Sequence, residues 1–233
     1  MVLAAGLGTR MRPLTNDRPK ALVEVCGRAL IDHVLDRLVE AGVKRVVVNV
    51  HAFADLLEAH LRQRRDVEIT ISDERAALME TGGGVKQALP LLGDAPILVS
   101  NIDSVWEQPA GSAIGRLAQG FDSKHMGARL LLADMERQLG YDGAGDFFMD
   151  SRGMLSFRDA LPHTPWAYMG VQAIDPAILA EEPLEPFSFT RVWRRLAKAG
   201  RLHGVPLGGF WMHVGDPQAR DAAEARLRRA AAS

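Results

Sequence analysis

The first twenty residues combine a glycine turn with a cluster of cations. Gly6 and Gly8 follow a short apolar run that we expect to end a buried strand, and Arg10 and Lys20 come soon after them. Glycine lets a backbone turn tightly and bring its N–H groups against a ligand. Backbone donors followed by cations are groups that hold phosphate in proteins. The segment therefore predicts a binding site for a phosphate-rich ligand.

Two common phosphate loops do not fit this segment. A dinucleotide-binding turn needs a small residue where Met11 stands, and a Walker loop needs a Gly-Lys-Ser/Thr sequence that is absent here. Residues 3–15 and 19–22 instead resemble the signature of the sugar-1-phosphate nucleotidyltransferases, Leu-Ala-Ala-Gly-x-Gly-x-Arg-Met-x-Pro-Leu-Thr followed by Pro-Lys-x-Leu. That resemblance implies transfer of a nucleotidyl group from an NTP to a sugar 1-phosphate. An ordinary strand–turn–helix junction with surface cations is the alternative.

The resemblance also implies roles for individual residues of this segment. Arg10 would contact the leaving β- and γ-phosphates, and Lys20 the α-phosphate and the incoming sugar phosphate. Both are therefore expected to be catalytic. The remaining residues that it places in the nucleotide site are Leu3, Ala5, Gly6, Gly8, Thr9 and Met11.

A second glycine cluster occupies residues 82–84, within the string Glu-Thr-Gly-Gly-Gly. Three consecutive glycines are poor helix material, so we expect a loop that presses against a flat ligand, with a helix beginning at Val85. The string resembles the muramate-1-phosphate uridylyltransferase branch of the family, which is linked to peptidoglycan recycling. The resemblance implies that Glu80 and Gly83 contact the nucleobase and ribose. A flexible hairpin is the alternative.

A carboxylate follows the apolar strand expected over residues 95–100. Asp103 lies just beyond this strand, preceded by Asn101 and Ile102. A carboxylate beside a triphosphate can hold Mg²⁺ while the phosphates supply other ligands. The resemblance implies that Asp103 is a catalytic metal ligand and that Asn101 lies in the nucleotide site. A helix-capping aspartate is the alternative.

Residues 210–217 depart from the family pattern Trp-x-Asp-x-Gly-Thr, whose Asp is a second metal ligand in relatives. His213 stands at the position of that Asp, and Asp216 at the position of the Thr. Histidine is a poor ligand for Mg²⁺, although Mn²⁺ accepts imidazole more readily. We expect His213 to bind the metal weakly, to contact phosphate or to orient a water, with Asp216 as a substitute carboxylate. A buried histidine outside the site is the alternative.

The second half is expected to supply the sugar site. A hairpin is predicted around the turn at residues 150–153, and Gly145-Asp146-Phe147 just before it resembles the Gly-Asp-Phe of the muramate branch. The resemblance places Gly145 and Asp146 in the sugar site, together with Gly170 on a returning strand. Ordinary surface-loop glycines are the alternative.

Strands and helices alternate through the first half of the chain, which predicts an α/β fold with a three-layer, doubly wound, mostly parallel sheet. Helices are expected over about 29–41, 51–65 and 84–91, and strands over 43–50 and 67–71. Ligands bind such sheets at the carboxyl ends of the strands, so the glycine turn and Asp103 are expected to face one crevice. We predict one domain over residues 1–233, with a nucleotide-binding half to about residue 125 and a sugar-binding half from about residue 126.

Bulk properties limit the partners and the location. A net charge of −1 argues against binding to nucleic acid or to an anionic membrane. The single cysteine, Cys26, excludes an internal disulfide, and its valine neighbours suggest a buried thiol in a reducing compartment. No apolar run is long enough to span a bilayer and no signal peptide is recognisable, so the cytoplasm is expected.

These expectations combine into one hypothesis. The protein is predicted to be a monomeric or homodimeric enzyme that uses Mg²⁺, or Mn²⁺, to join UTP to N-acetylmuramate 1-phosphate. Mannose- or heptose-1-phosphate guanylyltransferase, a glucose or dTDP-sugar enzyme and a CTP-dependent enzyme remain alternatives. A non-catalytic nucleotide-binding regulator is a further one, suggested by His213.

Overall fold

The computed structural model describes residues 1–108 and 111–231. Its strands are β1 (Val2–Leu3), β2 (Glu24–Val25), β3 (Arg28–Ala29), β4 (Arg45–Val50), β5 (Glu68–Asp73), β6 (Ile97–Asn101), β7 (Ser104–Glu107), β8 (Ala128–Asp134), β9 (Gln138–Leu139), β10 (Phe147–Met149), β11 (Leu155–Phe157), β12 (Trp166–Ile174), β13 (Leu202–Pro206) and β14 (Phe210–His213). Its helices are α1 (Leu30–Glu40), α2 (Ala54–Leu61), α3 (Glu80–Leu92), α4 (Ala113–Gln119), α5 (Phe189–Lys198) and α6 (Pro217–Ala231). Short 3₁₀ turns cover Thr9–Met11, Lys20–Leu22 and Pro176–Leu179.

The described strands form a mixed nine-stranded central sheet. Its order is β11-β10-β12-β6-β1-β4-β5, with β8 beside β12 and β13 beside β8. Strands β6, β1, β4 and β5 are mutually parallel, whereas β12 joins β6 and β8 in antiparallel fashion. The predicted α/β class is confirmed, and the parallel pairing is concentrated in the first half, where helices connect successive strands.

Strand β4 shows why the sheet has helices on both faces. Val46 and Val48 pack into a cluster that includes Leu57 of α2, whereas Val47 packs into a second cluster that includes Val85 of α3. Successive side chains of a strand point to opposite faces, so a continuously apolar strand needs a cover on each side. The helices α1, α2 and α4 cover one face, and α3 and α5 cover the other. The molecule therefore has the predicted three layers.

A smaller sheet, with the order β7-β14-β9, was not predicted in full. Strand β14 runs antiparallel to β7, with His213 opposite Ser104, and parallel to β9. The N–H of Val214 donates to the carbonyl of Asp103 at 2.8 Å. This pairing brings residue 213 beside residue 103.

The glycine cluster at residues 82–84 lies inside α3, so the predicted loop with a helix start at Val85 is wrong. A Cβ on Gly82 would lie 2.2 Å from the Phe187 ring, and one on Gly83 would lie 2.4 Å from the Glu185 carbonyl oxygen. The N–H groups of Gly82 and Gly83 both donate to the Phe187 carbonyl, at 2.8 and 3.1 Å. The glycines are needed because the chain around Phe187 passes directly against the first turn of the helix.

Two smaller expectations are also corrected. Cys26 is exposed, because it lies in the turn between β2 and β3 and not among the valines that flank it. Helix α2 is shorter than the predicted 51–65, since it covers only Ala54–Leu61. No helix in residues 1–108 or 111–231 is both long and apolar enough to cross a membrane. The division of the chain into two halves stays a prediction.

Candidate active site

A cleft of about 420 Å³ opens where β1, β4 and β6 end. It contains most of the residues that the sequence pointed to for nucleotide binding and catalysis. These are Leu3, Ala5, Gly6, Gly8, Thr9, Arg10, Lys20, Glu80, Asn101 and Asp103. The expectation that the glycine turn and Asp103 face one crevice is therefore confirmed.

Thr15 and Lys20 pack against the glycine turn at Gly8. Gly8 has a φ of +62°, and a Cβ on it would lie 2.9 Å from the Cβ of Lys20. The Thr15 hydroxyl donates to the Gly8 carbonyl at 2.8 Å. Only glycine suits both the left-handed backbone and the close approach. The turn thus keeps Gly6 and Thr9 exposed at the cleft.

Arg10 projects from this turn as an exposed residue that lines the cleft. Within the part of the chain that the structure describes, its guanidinium makes no hydrogen bond or ion pair to a side chain. A guanidinium presents several N–H donors in a fixed plane, which suits phosphate oxygens. Arg10 is therefore available to an anionic ligand.

Lys20 and Asp103 form an ion pair at the floor of the cleft. The Lys20 ammonium donates to Asp103 Oδ2 at 2.9 Å, and the side chains are 10% and 21% exposed. Burial by itself would raise the pKa of Asp103, but the charge of Lys20, its hydrogen bond and, where His213 is protonated, the charge of that imidazole outweigh it, so that the pKa is lowered. Asp103 is consequently an anion at neutral pH, with its second oxygen free of Lys20.

His213 lies beside this pair as a neutral imidazole. Burial lowers the pKa of His213, and the charges of Lys20 and Arg10 act in the same direction, against the opposing charges of Asp103 and Asp216. Its ring meets the ring of Tyr141 edge-on, with 6.2 Å between centroids. A neutral imidazole can accept a hydrogen bond or bind a metal through one nitrogen.

Asp216 has a structural role at the start of α6. Its Oδ1 accepts the N–H of Ala219 at 2.8 Å, and its carbonyl accepts the N–H of Arg220 at 3.0 Å. These are the contacts of a helix N-cap. One carboxylate oxygen of Asp216 is therefore already used, and its role as a metal ligand stays a prediction.

The donor set around Asp103 suits Mg²⁺ only with help from the substrate. In residues 1–108 and 111–231 there is no group of three or more histidine, cysteine or acidic side chains arranged to hold a metal. Mg²⁺ commonly binds through one or two carboxylates plus substrate phosphates and water. A single carboxylate in a cleft that also holds a glycine turn, Arg10 and Lys20 fits that pattern.

Two residues predicted for the nucleotide site lie outside the cleft. Met11 is fully buried in a cluster with Val105 and Met212, beneath α6. Gly83, near the start of α3, packs against the Glu185 carbonyl and does not line the cleft. The resemblance placed both in the nucleotide site, and in the structure the side chain of Met11 and the backbone of Gly83 pack within the protein.

The predicted sugar residues Gly145 and Asp146 line a second cleft, of about 280 Å³, with Tyr168 and Arg158. Asp146 accepts hydrogen bonds from the Tyr141 hydroxyl at 3.2 Å and the Tyr168 N–H at 2.8 Å. Burial raises the pKa of Asp146, and these contacts and Arg158 only partly oppose it. Burial, together with the charge of Asp146, also raises the pKa of Tyr141 to about 12. Both groups thus hold their protons more tightly than usual.

Gly170 lines neither cleft and lies beside Asn101. A Cβ on it would lie 3.0 Å from Ser104 Oγ and 3.1 Å from the Cβ of Asn101, which lines the first cleft. The clefts are linked by the start of α5, because Ser188 lines the first and Thr190 the second. The Thr190 N–H donates to Ser188 Oγ at 3.3 Å. Predicted nucleotide and sugar residues therefore occupy neighbouring sites.

Several cleft residues were not predicted from the sequence: Asn49, Leu78, Thr81, Ile102, Ser188 and Gly215. Asn49 did carry a signal, because it is the one polar residue in the apolar stretch 46–50. A buried polar side chain in such a strand requires hydrogen-bond partners, which indicates a role other than apolar packing. Ser188 carried no comparable signal, since its place depends on the contact between α5 and α3.

Comparison with known proteins agrees with this arrangement. The family model described as Nucleotidyl transferase matches residues 1–141. N-acetylmuramate alpha-1-phosphate uridylyltransferase of Caulobacter vibrioides is 56% identical, over 99% of this chain and 97% of that protein. The protein of the same name from Neisseria meningitidis is 33% identical, over 92% of each chain. In structure, a putative glucose-1-phosphate thymidylyltransferase from Bacillus anthracis superimposes with a TM-score of 0.80 at 18% identity, over 97% of this chain and 94% of that chain.

The fold and a cleft that combines a glycine turn, Arg10, Lys20 and Asp103 are thus those of a nucleotidyltransferase, a class that generally uses a divalent metal. The chain belongs to the nucleotidyl transferase family. Within that family it is similar over nearly its whole length to the uridylyltransferases of Caulobacter and Neisseria, as the resemblance of its glycine string indicated.

Proposed function

We propose that the protein transfers the uridylyl group of UTP to N-acetylmuramate 1-phosphate, forming UDP-N-acetylmuramate and pyrophosphate. The observation that carries this proposal is the 56% identity, end to end, with the Caulobacter enzyme of that activity. The pairing of Lys20 with Asp103 in a cleft that also contains Arg10 supports the same chemistry.

In the proposed reaction, a phosphate oxygen of the sugar 1-phosphate attacks the α-phosphorus of UTP. A new P–O bond forms as the bond to the β-phosphate breaks, and pyrophosphate leaves with the bonding electrons. The attacking phosphate is already an anion near neutral pH, so the protein needs no general base. Its contribution is to place two anions in line and to neutralise their charge.

Four side chains divide this work. Arg10, exposed at the mouth of the glycine turn, binds the β- and γ-phosphates that leave. Lys20 binds the α-phosphate and the incoming sugar phosphate, and the backbone N–H groups of Gly6, Gly8 and Thr9 assist at the turn.

Asp103, held anionic by Lys20, is the residue that would hold Mg²⁺ or Mn²⁺. When bound, such a cation would neutralise phosphate charge as a Lewis acid. His213, as a neutral group beside Asp103, would assist the metal or a phosphate.

The two neighbouring clefts suggest where each substrate lies. The first, between the glycine turn and Glu80, would take the nucleotide, and the second, with Gly145 and Asp146, would take the sugar. Gly170 and Asn101 would lie between them. The proposal includes a cytoplasmic location, supported by the single cysteine, action as a monomer or homodimer, and a role in peptidoglycan recycling.

The test is pyrophosphate release from a matrix of substrates. The purified protein is incubated with Mg²⁺, each of UTP, GTP, CTP, ATP and dTTP, and each of N-acetylmuramate, mannose, heptose and glucose 1-phosphate. We expect release with UTP and N-acetylmuramate 1-phosphate, and its loss in the Asp103→Asn variant. Release only with GTP and mannose or heptose 1-phosphate would keep the class of reaction and overturn the substrates. Silence in every combination would overturn catalysis in favour of a nucleotide-binding regulator.

A further inference from the structure

Two buried polar side chains, of which Asn49 also lines the first cleft, connect two of the segments that form this cleft. Asn49 is 2% exposed and Glu74 is 1% exposed. Asn49 Oδ1 accepts the Ala4 N–H at 2.6 Å, and its Nδ2 donates to Glu74 Oε1 at 2.7 Å. Glu74 Oε2 accepts the Met79 N–H at 3.1 Å. These three hydrogen bonds form one continuous chain.

The ends of this chain attach to the two segments that line the cleft. Ala4 precedes Ala5 and Gly6 of the phosphate turn, and Met79 precedes Glu80 and Thr81 of the opposite wall. A hydrogen bond from a backbone N–H to a fixed side chain holds that backbone at a set distance. Asn49 and Glu74 consequently connect the backbone at Ala4 to the backbone at Met79.

The last glycine of the cluster at residues 82–84 makes room for this arrangement. A Cβ on Gly84 would lie 2.7 Å from Glu74 Oε1 and 3.1 Å from Asn49 Nδ2. Helix α3 therefore passes so close to the hydrogen-bonded pair that even an alanine side chain would displace it. Gly84 itself is buried and does not line the cleft.

The carboxylate of Glu74 is an expensive group to bury. Its described partners are the neutral donors Asn49 Nδ2 and Met79 N–H, and no ion pair to Glu74 occurs in residues 1–108 and 111–231. Burying a charge without a counter-charge is unfavourable, and apolar side chains often stabilise a core as well or better. Stability alone does not account for Glu74, whereas a need for fixed backbone geometry does.

We propose that Asn49 and Glu74 are positioning residues of the nucleotide site, which act by fixing the gap between the phosphate turn and the wall at residues 78–81. This inference rests on the proposed function for the identity of the ligand. It predicts that changes at Asn49 and Glu74 alter the binding of UTP and not that of the sugar phosphate, because Asp146 and the second cleft take no part in the chain of hydrogen bonds.

The polarity of the hydrogen bonds provides the test. The Glu74 carboxylate accepts one hydrogen bond at each oxygen. In Glu74→Gln, the amide NH₂ group must face one of these two donors, so a donor meets a donor. In Asn49→Asp, one carboxylate oxygen must face another across the same contact. In the double variant, Asp at 49 accepts from Ala4 and from the new Gln, whose oxygen accepts from Met79. Every hydrogen bond is restored, with the direction of one reversed, and the net charge is that of the wild type.

We expect each single variant to raise the KM for UTP about tenfold or more, because a buried donor or acceptor is left unmatched. We expect kcat and the KM for the sugar 1-phosphate to change by less than about threefold, and the double variant to recover the KM for UTP to within about threefold of wild type. Gly84→Ala, which leaves all polar groups intact, should raise the same KM by a smaller factor. It keeps the test available if a single polar variant does not fold.

Arg116→Met serves as a matched control. It removes a hydrogen bond to the Leu207 carbonyl, at 2.7 Å, and lies in neither cleft. It should lower Tm and leave the KM for UTP unchanged. UTP affinity is also measured by calorimetry without sugar phosphate, so that the comparison does not depend on turnover.

Single variants with wild-type UTP affinity would overturn the inference, as would a double variant no better than the weaker single variant. If the wild type bound UTP but released no pyrophosphate, the proposed function would fail, and the loss and recovery of affinity would still decide the inference. A wild type that bound no UTP would overturn both.

Discussion

The ion pair between Lys20 and Asp103 permits a quantitative prediction for the variant Lys20→Met. Two unit charges 2.9 Å apart attract by roughly 6 kcal/mol at an effective dielectric constant of about 20. Desolvation of both groups and their contact with the open cleft offset most of that attraction. We therefore expect Lys20→Met to lower the free energy of unfolding at pH 7 by about 1–3 kcal/mol.

The pH dependence of this loss follows from the shift at Asp103. Since the pKa of Asp103 is lowered in the folded state, its contribution to stability is present above the unfolded pKa of about 3.9 and is lost as the pH falls through the folded value. The difference between wild type and Lys20→Met should accordingly be largest at neutral pH and shrink below about pH 4. Urea unfolding over a pH series measures it.

In free-energy terms, the loss of transition-state stabilisation in Lys20→Met should exceed the loss of folding stability. Removal of one preorganised donor to a developing anion costs about 10²–10³ in kcat. Lys86→Met is the matched control, because its ammonium donates to the carbonyls of Leu179 and Ala180 at 2.8 and 3.1 Å, away from both clefts. A folded Lys20→Met protein with kcat within about threefold of wild type would refute this reasoning. So would an equal loss in Lys86→Met.

Three further predictions concern other parts of the site. Gly6→Ala should keep the wild-type Tm, because a Cβ there meets nothing within 4 Å, but it should raise the KM for UTP. Gly8→Ala should instead lower Tm. An unchanged UTP affinity in Gly6→Ala would contradict the binding of a ligand at that turn. Because burial raises the pKa of Asp146, wild-type stability should fall as pH rises above the unfolded pKa of about 3.9, and Asp146→Asn should remove that slope in urea unfolding at a series of pH values. His213→Ala should weaken activation by Mn²⁺ more than by Mg²⁺ in metal titrations of pyrophosphate release, and unchanged activation by both metals would place His213 outside the site.

The meeting of the glycine turn with Asp103 was accessible from the sequence for a physical reason. Each follows an apolar strand, and parallel strands place their carboxyl ends at one edge of a sheet. The pairing of β1 with β6 in the structure, with Leu3 opposite Asn101, is that arrangement. Local patterns and one general rule of sheet topology were sufficient for this meeting, whereas the roles of Arg10, Lys20 and Asp103 were implied by the resemblance to the family.

The features that escaped the sequence depend on contacts between distant residues. The glycines at 82–84 were interpreted by their helix propensity, but their neighbours in space are Glu185 and Phe187, about a hundred residues later. Met11 was assigned to the ligand because of its place in the signature, whereas it packs under α6. Propensity describes a residue in isolation, and tertiary packing overrides it at such positions.

The small sheet has a consequence for the order in which the enzyme becomes functional. Strand β14 supplies His213, and the N–H of Val214 just after it donates to the carbonyl of Asp103, yet both residues come later in the sequence than every strand of the central sheet. Synthesis proceeds from the N-terminus, so every strand of the central sheet exists before β14 does. A nascent chain that ends before residue 210 has its glycine turn and Lys20 but lacks the strand that fixes the backbone of Asp103. The complete site therefore depends on the pairing of β14 with β7.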